Sequence, residues 1–96
     1  MNRNYSSDEN PRVKLNYGEI YSFFIDGKEE KGVYIGSNLK GMGRIVSRRG
    51  KSPVIRSFNL KATILENKLL KGKFSFIFLN DKEESFAIEI LNKKSL

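Results

Sequence analysis

The sequence predicts an all-β protein, a small antiparallel barrel with an added C-terminal β-hairpin. Three observations carry that expectation. Seven short apolar or alternating runs follow one another along the chain. Gly, Pro, Asn and Asp separate them at the spacing of about eight to twelve residues expected of strands in small barrels. The two clearest runs, Lys73 to Leu79 and Ser85 to Leu91, alternate on either side of a short charged link.

Residues 1–12 are polar and include Pro11, which cannot continue a ladder in a central strand. They are expected to form a flexible N-terminal segment ahead of a single domain over 13–91. Glu19 to Ile25 places Tyr21, Phe23 and Ile25 on one face and Ile20, Ser22 and Phe24 on the other, so a central strand is expected. Asp26-Gly27 marks a turn, because Gly takes positive φ without steric cost, and Val33 to Ser37 is the returning strand. Gly36, Gly41 and Gly43 then break the ladder, either as bulges and tight corners or as backbone that approaches a phosphate beside Lys40 and Arg44.

Arg44 to Arg48 reads as a third strand, and Arg49-Gly50-Lys51-Ser52-Pro53 turns it into a fourth, Val54 to Phe58. Between Leu60 and Lys71, Asn59, Gly72 and two late lysines fit the ends of a helix, but Leu60, Ala62 and Ile64 alternate with Lys61 and Thr63. A strand from Leu60 to Leu65 is the expectation. Asn80 to Glu84 then joins the last two strands as a hairpin loop. Phe74, Phe76 and Phe78 on one strand and Phe86, Ile88 and Ile90 on the other are expected to supply much of the core, with 92–96 as a polar tail.

Ninety-six residues suffice for one small domain that folds without a metal or a disulfide. The absence of Cys excludes a disulfide framework and a thiol nucleophile, and the absence of His removes the commonest general base and metal ligand. Six of the eleven acids occur as neighbouring pairs, Asp8-Glu9, Glu29-Glu30 and Glu83-Glu84, which point apart in a strand and are solvated in a loop. No enzyme, cofactor or metal is expected. No run approaches a membrane span and no hydrophobic leader is present, so the expectation is a cytoplasmic protein without a membrane partner.

Charge is the strongest functional signal. From Lys31 to Leu65 there are eight basic residues and no acid, so this block carries +8 while the flanks sum to −1 and the whole chain to +7. A field concentrated in this way favours capture of polyanions. The site is therefore expected in the block. Lys40, Arg44, Arg48, Arg49, Lys51 and Arg56 are candidates for phosphate contacts and Tyr34 for base stacking.

The order of features from Ile20 to Lys61 resembles the Sm-like family (Lsm and Hfq proteins). Asp26-Gly27 is followed by Gly32, Asn38 stands near the family's Asp, Met42-Gly43 leads into Arg44-Ile45-Val46, and Val54-Ile55-Arg56-Ser57 echoes the second motif. The resemblance implies an SH3-like or Sm-like RNA-binding barrel of five strands, a homo-oligomeric ring, and Met42 and Arg56 at RNA-binding loops. Gly43 replaces the base-contacting Asn, and Ser57 replaces a Gly.

A second stretch, Asp26-Gly27 through Gly32 to Gly41-Met42, is similar to PilZ domains. Only Gly41 fits the [D/N]xSxxG signature when it is laid on Gly36 to Gly41, and Arg12 has no second arginine four residues away. That resemblance implies a regulatory module without the usual dinucleotide site. The sequence thus points to a non-enzymatic nucleic-acid-binding module, with RNA or a single strand favoured because no recognition helix is evident. The alternative is a PilZ-like or SH3-like module that meets an acidic protein surface.

Overall fold

The structure, a computed structural model, describes residues 13–96; the expected flexible segment 1–12 lies outside the described residues. The elements are β1 (Ile20–Ile25), β2 (Lys28–Ser37), β3 (Met42–Arg49), β4 (Ser52–Asn59), β5 (Ile64–Glu66), β6 (Leu69–Lys71), β7 (Phe74–Ile77) and α1 (Asp81–Lys93). The fold is mostly β. Among the described residues all seven strands belong to one sheet, in the order β5-β6-β1-β2-β3-β4-β7.

Strands β1 to β4 form an antiparallel meander whose turns follow local backbone chemistry. Asp26 and Gly27 both have positive φ, +50° and +79°, which is the twist-matched geometry of a two-residue hairpin. Gly36, at φ +90°, sits where the β2–β3 register shifts between Tyr34 and Ser37, so this glycine serves a bulge. Gly43 has a different reason: a Cβ there would come within 2.7 Å of the Phe58 ring, which rests against the bare backbone.

The sheet buries both faces. One carries Val13, Tyr21, Phe23, Tyr34, Ile45, Phe58, Leu60 and Leu70. The other packs Val33, Ile35, Val46 and Ile55 against Ala87, Ile90 and Leu91 of α1. Among the described residues no helix is laid over the first face; it is closed by curvature of the sheet itself, which brings Phe74 of β7 onto Phe23 of β1 and makes this face concave. β6 and β7 stand near opposite margins of the sheet, yet only Gly72 and Lys73 connect them, a span of roughly 10 Å at most.

The structure corrects several expectations. The fold is not purely β, because the expected C-terminal hairpin is replaced by β7 followed by α1. Asn80 to Glu84 is the cap and first turn of that helix. The Asn80 side chain accepts from the Glu83 N–H at 2.9 Å, and the Asn80 N–H donates to the Glu83 carboxylate at 3.0 Å, a reciprocal capping box. Asp81, Glu83 and Glu84 also place negative charge at the helix N-terminus. Ala87, Ile90 and Leu91 bury at helical spacing, while Phe86 and Ile88 of the supposed strand stripe are exposed.

The single strand expected from Leu60 to Leu65 is instead a turn followed by the short hairpin β5–β6, whose turn residues Asn67 and Lys68 both have positive φ. The sheet is mixed, since β6 runs parallel to β1 through Ser22↔Leu69 and Phe23↔Leu70. Among the described residues it is also open, without a closed ladder of hydrogen bonds. The residues read as a polar tail finish α1 and dock: Leu96 packs against the helix-side core and its N–H bonds the Leu91 carbonyl.

Candidate functional site

A meander sends alternate turns to opposite ends of the sheet, and this divides the basic block. Lys40 lies in the β2–β3 turn as an exposed side chain, where the Asn38 carboxamide oxygen accepts from the N–H groups of Lys40 and Met42 at 2.9 and 3.0 Å. Arg49 and Lys51 lie at the other end, with the Asp26-Gly27 turn. Alternation then separates the remaining arginines between the two faces.

Arg44 and Arg48 are on the face that carries α1, and both are used internally. Arg44 donates to the backbone carbonyls of Ile35 at 3.2 Å and Gly36 at 3.4 Å and so braces the bulge. Arg48 donates to the Leu96 carbonyl at 2.7 Å and to the Asn92 side chain at 3.3 Å, which ties β3 to the end of the helix. Neither presents a free fork to a phosphate.

Tyr34 requires a correction. Its side chain is 6% exposed, with its ring 6.3 Å from that of Phe58 inside the core, so no face is left for a base. Burial pushes the Tyr34 hydroxyl above its ordinary value. Phe58, expected in the core, is there.

Arg56 is on the concave face, directly across from Ile45 on β3 and Phe76 on β7. It is only 4% exposed. Its guanidinium carbon lies 4.4 Å from the centre of the Phe76 ring, and Nη2 lies 3.7 Å from the Glu30 carboxylate. The guanidinium of Arg49 approaches the same ring at 5.2 Å. The structure thus brings together two of the candidate arginines at one aromatic side chain, Phe76, which is 47% exposed.

These groups line a cleft of about 820 Å³ at the mouth of the curled sheet. The end of β1 and its turn form one wall, with Phe24 and Lys28; β7 and the link before it form the other, with Lys73 and Phe76. Glu30, Arg49 and Arg56 lie between these walls. Asp26 and Glu30 are the cleft's acids, set against Lys28, Arg49, Arg56 and Lys73, so the balance is positive.

The chain matches no protein-family model, no curated protein and no solved structure.

Charge counting missed Lys28 and Lys73 because both stand in flanks where acids cancel them. Phe24 and Phe76 alternate within strands, as core residues do, and the edge position of β7 is what leaves Phe76 accessible. Among the described residues no group of three or more acidic, His or Cys side chains is placed to hold a metal ion, and no helix is long and apolar enough to cross a membrane. The arrangement can accept a flat ring on Phe76 and oxyanions on the guanidiniums beside it.

Proposed function

We propose that this chain is a non-enzymatic module that binds single-stranded nucleic acid, RNA above all, in the cleft at the mouth of the curled sheet. The observation that carries this reading is the approach of both Arg49 and Arg56 to Phe76, with Phe24, Lys28 and Lys73 on the surrounding walls. Single-strand binders combine base stacking on aromatic faces with cations that follow the backbone, and the cleft contains both elements within one short span. Lys51 extends the positive surface at the same end. The antiparallel meander of β1 to β4 fits the SH3-like or Sm-like reading, while the open margin and the terminal helix depart from the five-strand Sm-like pattern.

Fluorescence anisotropy of a labelled single-stranded RNA, with single-stranded DNA and duplex controls over a series of salt concentrations, tests the proposal. The expected result is saturable binding of single strands with a salt slope reporting several phosphate contacts. No binding at low salt would overturn it.

A second reading is favoured by one observation. Leu39 is fully exposed at the tip of the β2–β3 turn beside Lys40, within the longer run from Asp26 to Met42 that is similar to PilZ domains but keeps only Gly41 of their signature. An apolar tip next to a cation suits a regulatory contact with an acidic protein surface. Under that reading Leu39→Ser abolishes partner capture and leaves RNA affinity unchanged.

A further inference from the structure

We infer that the cleft receives the terminal phosphate of a nucleic-acid strand, with Arg56 as the residue that holds it; this rests on the nucleic-acid reading above. Arg56 occupies a position where the sheet needs no charge. Its cross-strand neighbours are Ile45 and Phe76, and an apolar side chain would complete that face. The guanidinium is nevertheless buried and undersupplied with acceptors. Among the described residues its Nε has no hydrogen-bond partner, and the Glu30 carboxylate is 3.7 Å from Nη2, beyond hydrogen-bond reach. Glu30 Oε1 and Ser47 Oγ, on the same face, also lack partners. A buried cation in this condition is stabilised by an entering oxyanion that supplies the missing acceptors.

The direction of approach follows from Phe76. The guanidinium carbon lies 4.4 Å from the centre of that half-exposed ring, so an oxyanion entering from the cleft meets Arg56 beside Phe76. Arg49 adds a second guanidinium beside the same ring.

Two features select a chain end over an internal linkage. An internal phosphodiester continues into a nucleotide on both sides, and a guanidinium this deeply set is reached more readily by a group attached on one side only. A diester also carries only one negative charge to set against the Glu30 carboxylate in the competition for the Arg56 guanidinium. A terminal phosphate monoester carries a charge of about −1.5 to −2 at neutral pH, which competes better for Arg56.

The test uses the full chain and one single-stranded RNA sequence prepared with a 5′-phosphate, a 3′-phosphate or hydroxyls at both ends, with adenosine monophosphate and inorganic phosphate as competitors. One phosphorylated form is expected to bind about tenfold more tightly than the hydroxyl form, the gain of one charge-assisted contact. R56Q is expected to erase that difference, with the hydroxyl strand bound more weakly than by the unaltered protein but still measurably through Arg49 and Phe76. Because the comparison of ends is made first on the unaltered protein, it stands even where R56Q fails to fold. Equal affinity for all three ends overturns end recognition and leaves the broader reading intact, whereas no binding of any strand overturns both. Displacement by the mononucleotide at concentrations matching the strand's own affinity overturns the assignment to a strand end and makes the ligand a free nucleotide.

Discussion

The rings of Phe23 on β1 and Phe74 on β7 stack with 4.7 Å between centroids and 28° between planes. In the sheet order these strands are four places apart, a separation of roughly 19 Å were the sheet flat. The contact therefore records the curl that encloses the concave core and sets the two walls of the cleft opposite one another. Phe74 also meets Phe58 at 5.1 Å, so one aromatic side chain joins both limbs of the curl.

Replacing Phe23 with Ala is expected to cost about 3–5 kcal/mol, because the side chain is fully buried and the surrounding aromatics cannot all collapse into the space. Phe74→Ala, at a partly buried position, should cost less and should also loosen the cleft. Urea denaturation followed by circular dichroism measures both. Equal, small losses at the two sites would show that the stack does not hold the curl.

The helix offers a separate test. Asn80→Ala removes one half of the capping box and is expected to cost about 1 kcal/mol, with the loss of helical signal confined to the C-terminal segment. Asn80→Asp keeps the acceptor and should retain most of that stability. The measurement is the shift in denaturation midpoint, supported by amide exchange at Glu83 and Glu84.

How much of this was legible in the sequence depends on the range over which each feature is determined. Asp26-Gly27 was readable because the turn needs only two residues of suitable backbone preference. The helix was hidden by two overlapping periods: Phe86, Ile88 and Ile90 alternate as a strand would, while Ala87, Ile90 and Leu91 mark a helical face. Only the local signal, Asn80 followed three residues later by Glu83, separates them. The basic block was visible as a run of charge, but a linear block does not specify a surface. The meander divided its residues between ends and faces, and Arg44 and Arg48 were taken up by backbone carbonyls. The cleft joins residues from β1, β2, β3, β4 and β7, and the pairing of Arg56 with the distant Phe76 has no local sequence signal.

The arginines give the sharpest contrast between charge and placement. Arg48→Ala is expected to destabilise the fold by about 1–2 kcal/mol through loss of its bonds to Leu96 and Asn92, and to leave affinity for single-stranded RNA unchanged. Arg49→Ala is expected to weaken binding and to lower the salt slope by about one unit, with little change in stability. Equilibrium denaturation and anisotropy on both variants separate the two roles; equal losses of affinity would assign both residues to the same surface.

At the opposite side of β1 from β2, Lys68 pairs with Glu19, and that contact, the largest influence on each, lowers the Glu19 carboxyl and raises the Lys68 ammonium relative to their ordinary values. The sign of the pH dependence follows. Glu19 favours the fold when ionised, so its contribution is present above the unfolded-state carboxyl value and is lost as pH falls through the lowered folded value. The Lys68 contribution is lost as pH rises through its raised folded value. Both groups are solvent-exposed, so the effect on stability is small and the titration itself is the better observable. In the unaltered protein the Glu19 side-chain carbon resonance is expected to titrate below the usual carboxylate range, and in Lys68→Met its midpoint should move upward. An unchanged midpoint would show that the Asn16 and Tyr21 hydrogen bonds to this carboxylate, and not Lys68, hold it down.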